Sequence, residues 1–374
     1  MRILIPSFFA TGHYLPDCER MAGGAELGIR LNAERWASAG MEVHIICYHP
    51  TRRGSELVHG IRLWFLPGTV CRDGSGQSGA RIHWQVWRVM RQVKPDLFYQ
   101  VGAGITTGLY VAMARLLGAA TVVRLANDRD VSPALKELLG EWRYRVYLWG
   151  LRHAHQRIAQ TRLQQRLMKD KLGLDSQVVP NCKVAIPVRA AEGRTTVVWV
   201  ARAMPVKRPQ LFLDLARAFP QVKFTMVAPG HGDAFEQNLR QQAAALSNLD
   251  YIPSLSLEEV QNLFARARLL VSTSSFEGFP NTFLEASLQE TPILSMDIDP
   301  DDYLARHGAG VVCHTAEELH QQAARLFAQD SELQEMGQRG RQAVLQEYEV
   351  ESVAKRYLEV FRHARKLAGH PPAQ

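Results

Sequence analysis

The chain has 374 residues and a mass of 42.1 kDa, which at roughly 100–200 residues per domain predicts two domains. Hydrophobic residues make up 46% and charged residues 22% of it, a composition that excludes disorder and fibrous repeats. Five scattered cysteines (Cys18, Cys47, Cys71, Cys182, Cys313) without a CxxC spacing exclude a disulfide scaffold and read as buried or free thiols in a reducing compartment. The opening MRILIPSFF has no basic n-region and no long apolar h-region, and the run Gly108–Ala126 is broken by Arg115 and Arg124. Neither a signal peptide nor a membrane span is expected, so a soluble, cytoplasmic protein is.

Apolar runs and amphipathic stretches alternate along the whole chain. Strands are predicted at Arg2–Phe9, Glu42–His49, Ile61–Leu66, Asp96–Val101 and Thr121–Ala126, with helices at Ala25–Ala39, Arg81–Gln92, Ile105–Leu117 and Ala134–Leu151. A break at Ile186–Thr195, rich in Pro, Gly and Ala, ends the first series. The second has strands at Thr196–Val200, Lys223–Val227, Asp250–Ile252, Leu269–Thr273, Pro292–Ser295 and Val311–Cys313. Its helices are Pro209–Ala218, Ala234–Leu246, Leu257–Arg266, Asn281–Gln289 and Ala316–Ala328. A last helix, Val350–Ala368, has no strand after it and is expected to cross back onto the first domain. This α/β grammar predicts two doubly wound Rossmann-like domains facing a central cleft, with ligand outside the carboxyl ends of the strands. The expected division is 1–188, 189–348 and a C-terminal helix in 349–374.

Net charge is +7 and the pI about 9.2. Nine Lys/Arg against three acids between Lys136 and Lys171 place +6 of it in that segment alone. Trp142, Tyr144, Tyr147 and Trp149 are interleaved there, and Leu138, Trp142, Val146 and Trp149 recur at helical spacing. An anionic membrane surface would attract such a face. A solvated basic helix whose tryptophans belong to the core explains the pattern equally well. Nucleic acid would need a reading module, and none is present.

Three loops carry chemistry. Gly23-Gly24-Ala25-Glu26 opens a helix, where backbone N–H groups approach an anion that the helix dipole favours. After the strand at 196–200, Arg202 and Lys207 set two cations five residues apart, suited to a diphosphate leaving group. The third loop runs Ser275-Phe276-Glu277-Gly278-Phe279-Pro280-Asn281-Thr282-Phe283-Leu284-Glu285, with Glu277 expected to close a strand, Gly278 to Thr282 to turn and Glu285 to lie on a helix. Its carboxylates, roughly 12 Å apart if the stretch is helical, are wider than a glycosidase pair at about 5–9.5 Å. That gap suits acids gripping hydroxyls at the two ends of one nucleotide-sugar.

With its early Gly-Gly-Ala-Glu, Lys94-Pro95-Asp96 before a strand, the Arg202…Lys207 loop and the EGFPNTFLEA string, the chain resembles a family 4 retaining glycosyltransferase of the GT-B architecture. The resemblance implies that Arg202 and Lys207 hold the donor diphosphate, and that Glu277 binds the transferred sugar and Glu285 the ribose. Backbone groups of Gly278, Phe279, Pro280, Asn281 and Thr282 would touch sugar and phosphate, Gly24 would approach the reacting centre, Gly23 would count among the donor-binding residues, and Ile252 to Leu255, with Pro253, would lie beside the base. Arg202, Lys207 and Glu277 are the catalytic candidates. Many relatives carry His-Asp where this chain has Asn127-Asp128; the pair is expected on the acceptor side.

Other patterns are set aside. Gly102-Ala-Gly104-Ile-Thr-Thr-Gly108 misplaces the third glycine of a dinucleotide fingerprint and reads as a close turn. Asp128-Arg-Asp130 and Asp297-Ile-Asp299 resemble the metal motif of another glycosyltransferase architecture, and His153-x-His155 points to two sides of a helix, so no metal and no resident cofactor is expected. The function expected is transfer of a hexose, with retention, from a UDP- or GDP-linked donor to a hydroxyl of a cell-surface glycan or lipid-linked saccharide. A GT-B epimerase, a phosphorylase and a catalytically silent nucleotide-sugar-binding scaffold are the alternatives.

Overall fold

The computed structural model describes residues 1–15, 18, 24–68, 80–189, 193–230 and 232–370. Gly23 and Cys71 lie outside them, as do most of 10–22 and 70–80, two stretches whose loops would shape the acceptor side. The chain divides into two compact units, one of Met1–Cys182 with Val350–Gln374, the other of Lys183–Glu349. The boundary thus precedes the compositional break at Ile186–Thr195, because Lys183 already bridges to Glu349 in the second unit.

In the first unit the strands are β1 (Arg2–Pro6), β2 (Glu42–His49), β3 (Gly54–Val58), β4 (Ile61–Pro67), β5 (Leu97–Val101), β6 (Ala120–Arg124), β7 (Gln156–Ala159) and β8 (Gln177–Val178). They form one sheet in the order β3-β4-β2-β1-β5-β6-β7-β8, parallel except for β3. The helices are α1 (Thr11–Tyr14), α2 (Gly24–Ser38), α3 (Ala80–Val93), α4 (Ile105–Leu116), α5 (Pro133–Leu139), α6 (Glu141–His153), α7 (Arg162–Leu172) and, from the far end of the chain, α15 (Val350–Leu367). Strand residues alternate between faces. Ile3 and Ile5 point to α2 and α15, while Leu4 joins Ile46, Phe98 and the α3–α4 side. On α15, Val350, Val353, Ala354, Tyr357, Val360, Phe361 and Ala364 recur at the helical period and are buried. Tyr357 and Phe361 meet Trp36 edge-on at 5.2 and 5.0 Å.

The second unit has β9 (Thr196–Val200), β10 (Lys223–Val227), β11 (Leu249–Ile252), β12 (Ala267–Ser272), β13 (Ile293–Met296) and β14 (Gly310–Cys313), all parallel, in the order β11-β10-β9-β12-β13-β14. Its helices are α8 (Pro209–Ala218), α9 (Ala234–Ala244), α10 (Leu257–Arg266), α11 (Asn281–Leu288), α12 (Tyr303–His307), α13 (Ala316–Phe327) and α14 (Asp330–Glu347). Val197 and Trp199 enter the core under α8 and α13, and Val198 the core under α11 and α14. The order reverses between β9 and β12, the switch point at which a doubly wound sheet leaves a crevice beyond its strand ends.

Several expected elements change. The helix predicted over Ala134–Leu151 is two, split at Gly140, whose φ of 77° a glycine accepts readily. The Leu138–Trp149 stripe is not core: Leu138, Trp142 and Trp149 are exposed, and Tyr147, Gly150 and Leu151 face inward instead. Gly108 belongs to a helix crossing, since a Cβ there would collide with the Val146 carbonyl while Gly150 faces it from α6. The patterns set aside also have structural partners. Asp130 accepts from the amides of Ala126 and Asn127, Asp299 caps α12 through Leu304 and Ala305, and Asp297 pairs with Arg208. His155 bonds Thr121 and Arg115, and burial lowers its pKa to about 4, with Arg115 adding to the effect. His153 stacks on Trp149. The four described cysteines are free thiols.

Gly108→Ala should destabilise the protein by about 1–3 kcal/mol in urea denaturation, because the α4–α6 crossing has no room for a methyl group. Burial pushes the Asp130 carboxyl up to about 6 despite its amide donors. Its folded pKa lies above the unfolded one, so its contribution is present at low pH and declines as pH rises through about 6. The stability of the wild type relative to Asp130→Asn should therefore fall by roughly 2 kcal/mol between about pH 4.5 and 7.

Candidate functional site

Two loops leave the second sheet beside its switch point, 201–208 after β9 and 273–280 after β12. They are sewn together. The Ser275 amide donates to the Val206 carbonyl at 2.9 Å, and the Thr273 hydroxyl donates to the Lys207 carbonyl at 2.6 Å. Arg208, held in the left-handed region at φ 46°, sends its guanidinium to the Thr273 and Ser274 carbonyls at 2.7 and 3.0 Å and to the Asp297 carboxylate at 2.8 Å. Sequence reading passed over Arg208 because it stands next to Lys207 in a basic loop. The Pro209 that opens α8 was the one signal that the chain turns there.

On that frame Lys207 forms an ion pair with Glu277, both side chains largely buried, and the Ser274 hydroxyl donates to the same carboxylate oxygen at 2.8 Å. Glu277 lies in the loop five residues beyond β12 and does not close a strand as expected. With only Asn281 onward helical, the 1.5 Å-per-residue spacing does not apply across Glu277–Glu285. Arg202 is exposed. α11 begins at Asn281 after Pro280, and no side chain caps it, so its first N–H groups are available to an anion. Phe279 anchors the loop from below, buried against Tyr303 at 5.6 Å and Tyr348 at 5.0 Å. Ile252 ends β11 at the same edge of the sheet and Pro253 follows it, exposed.

Glu285, one turn into α11, is paired with Lys183 at 2.5 Å, the lysine buried and the acid half-buried. Nothing in the sequence marks Lys183 except that it is a lone cation in the apolar stretch 177–188. The two acids of the string are therefore held by two different lysines from two different segments.

In the first unit, α2 starts at Gly24, one residue before the predicted Ala25. Asn127 caps a turn of 3-10 helix, accepting from the Arg129 amide at 2.8 Å, and Asp128 in that turn accepts from the Gln164 side chain at 2.9 Å. Both are half-buried beyond the end of β6. Among the described residues no cluster of His, Cys, Asp and Glu has the make-up of a metal site.

Two parallel-sheet units, the second with cations and an uncapped helix start at its switch point, have the GT-B fold. The model for "Glycosyl transferases group 1" matches residues 186–343, and that for "Glycosyl transferase 4-like domain" matches residues 23–182. Together they span most of the chain, which is a glycosyl transferase with a group 1 domain in its second unit and a 4-like domain in its first. Sucrose-phosphate synthase from Thermosynechococcus elongatus is similar over 97% of this chain and 98% of its own, at a TM-score of 0.78 and 15% identity. Anabaena Alr3699/HepE, solved in complex with UDP and glucose, is similar over 96% and 98%, at a TM-score of 0.75 and 17% identity. The poly(ribitol-phosphate) alpha-N-acetylglucosaminyltransferase of Staphylococcus aureus (strain COL) is 23% identical over 175 residues, which are 43% of this chain and 34% of that protein. The chain thus spans about a third of that relative's length.

Arg208→Ala should cost about 2 kcal/mol of stability, read by urea denaturation, because buried carbonyls lose a charged donor. Arg208→Lys should recover only part of it, since one ammonium does not reproduce a planar fork.

Proposed function

We propose that the protein is a retaining, metal-independent hexosyltransferase that uses a UDP- or GDP-linked sugar. The observation that carries the reading is the Lys207–Glu277 pair set beside the uncapped start of α11. A diphosphate seated on the α11 N–H groups takes charge from Lys207 and Arg202, so that neutralisation of the leaving group falls to fixed cations. Glu277, released in part from Lys207, accepts from hydroxyls of the transferred sugar, with the Gly278–Thr282 backbone alongside. Glu285 takes the ribose diol, and Ile252 and Pro253 flank the base. The leaving diphosphate helps to take the acceptor proton as the acceptor attacks the face it departs from, and no enzyme nucleophile enters.

The acceptor is a hydroxyl of a cell-surface glycan or lipid-linked saccharide, met by Asn127 and Asp128. The protein works from the cytoplasm at an anionic membrane surface, through 136–171. In support of that contact, Leu138, Trp142 and Trp149 face solvent among Arg143, Arg145 and Arg152. An apolar groove of about 460 Å³ between α3 and α4 adds Trp84 and Leu116, both exposed. No described helix is long and apolar enough to cross a membrane.

A thermal-shift panel of UDP, GDP, ADP and CMP without metal should show one diphosphate raising the melting temperature, with the shift lost in Arg202→Ala. An acceptor-independent breakdown of the donor would favour the epimerase reading, and binding without transfer to any saccharide would favour the scaffold. Sedimentation with phosphatidylglycerol vesicles, but not with phosphatidylcholine ones, should be lost in Trp142→Glu. Equal sedimentation with both lipids would remove the electrostatic part of the membrane proposal.

A further inference from the structure

Lys183 has no role in any reading above. It is the first residue of the second unit, and its backbone amide donates to the Tyr348 carbonyl at 2.9 Å. Tyr348 is the ring against which Phe279 of the 273–280 loop is packed. The lysine backbone is therefore fixed to the same aromatic block that fixes the motif loop. From there its side chain, only 6% exposed, reaches Glu285, 17% exposed, at 2.5 Å.

A lysine is almost never this buried without a charged partner, and desolvating two ions is costly unless both are well satisfied. A purely structural need at this point would be met as well by apolar side chains of similar volume. A ligand-binding acid on a short helix, by contrast, must stay ionised and keep one orientation. An ionised carboxylate offers about four lone-pair sites. Lys183 takes one on Oε1 and leaves the others for a vicinal diol. Its ammonium carries three N–H donors, so it can hold the acid and still offer a proton to a ligand oxygen.

We infer that Lys183 is a positioning residue for nucleotide recognition: by pairing with Glu285 it keeps that carboxylate aimed at the ribose 2′ and 3′ hydroxyls. The inference rests on the proposed role of Glu285. It assigns to a residue outside the motif string the discrimination between a ribose and a sugar without the diol.

The test is calorimetric titration of UDP, GDP and their 2′,3′-dideoxy forms into the wild type, Lys183→Met, Glu285→Gln and the double variant. The wild type should prefer the ribonucleotide by roughly tenfold or more. Lys183→Met should lose most of that preference while binding the dideoxy nucleotide almost as the wild type does, a split that general damage to the fold would not produce. If Lys183→Met unfolds because Glu285 is left buried and unpaired, the double variant removes both charges and should fold. It should then bind both nucleotides with the wild type's dideoxy affinity. Loss of the preference in Glu285→Gln with its retention in Lys183→Met would overturn the role of Lys183 and leave the ribose assignment standing. In the double variant, a retained preference, or dideoxy affinity lost along with ribonucleotide affinity, would overturn it too. Retention of the preference in Glu285→Gln, or no binding of either nucleotide by the wild type, would overturn the ribose assignment and the inference together.

Discussion

The second unit depends on the seam between the loops that follow β9 and β12. Neither loop has regular structure enough to hold a charged side chain still. Joined by Ser275 to Val206, Thr273 to Lys207 and the Arg208 fork, they behave as one body at the place where the sheet order reverses. A site on bare loops loses precision to conformational freedom, and this seam removes that freedom before any ligand arrives. The ion pair of Lys207 with Glu277 is then a consequence of the seam: each loop brings one partner, and the seam sets the distance between them.

Beneath the seam, α11 is held by a neighbour with unusual composition. α14 contains Gly337 and Gly340, and both are needed for contact. A side chain at Gly337 would collide with the Glu290 carbonyl, and one at Gly340 would press on Ser287 at 3.0 Å. The Tyr303 hydroxyl closes the same junction, donating to the Gly340 carbonyl at 3.2 Å and sharing a hydrogen bond with the Ser287 hydroxyl at 2.8 Å. The helix that carries Glu285 is thus locked from behind, while its first turn stays uncapped in front. Rigidity and an exposed N-terminus on one short helix are what a binding site for an anionic ligand requires.

Much of this was legible in the residues. Strands such as Thr196–Val200 and Lys223–Val227 are short apolar runs bounded by polar residues, and the structure places them at the predicted bounds. What escaped reading had weak local signals. β7 begins Gln-Arg, β8 has two residues, and α14 carries two glycines that propensity counts against a helix although packing demands them. The motif string announced Glu277 and Glu285 by spacing alone. Their lysine partners could not be read, since Lys207 was assigned to phosphate and Lys183 lies a hundred residues away in sequence from the acid it meets. Arg208 illustrates the same limit, because a backbone-gripping arginine and a phosphate-binding one look alike until the fold shows which carbonyls surround them.

The first unit is assembled from two separated stretches of chain, with residues 183–349 between them. Its core is closed by α15, which supplies Tyr357 and Phe361 to Trp36 and Tyr99. On a ribosome the order of emergence then runs against the order of the numbering. The second unit is contiguous and has all of its residues once Glu349 has left the exit tunnel. The first begins to emerge before the second and keeps the apolar face of β1, β2 and β5 unfinished until α15 follows. A chain ending at Glu349 would have a finished half and an open one, a natural substrate for chaperones and proteases. Closure of the first unit's core therefore waits on α15.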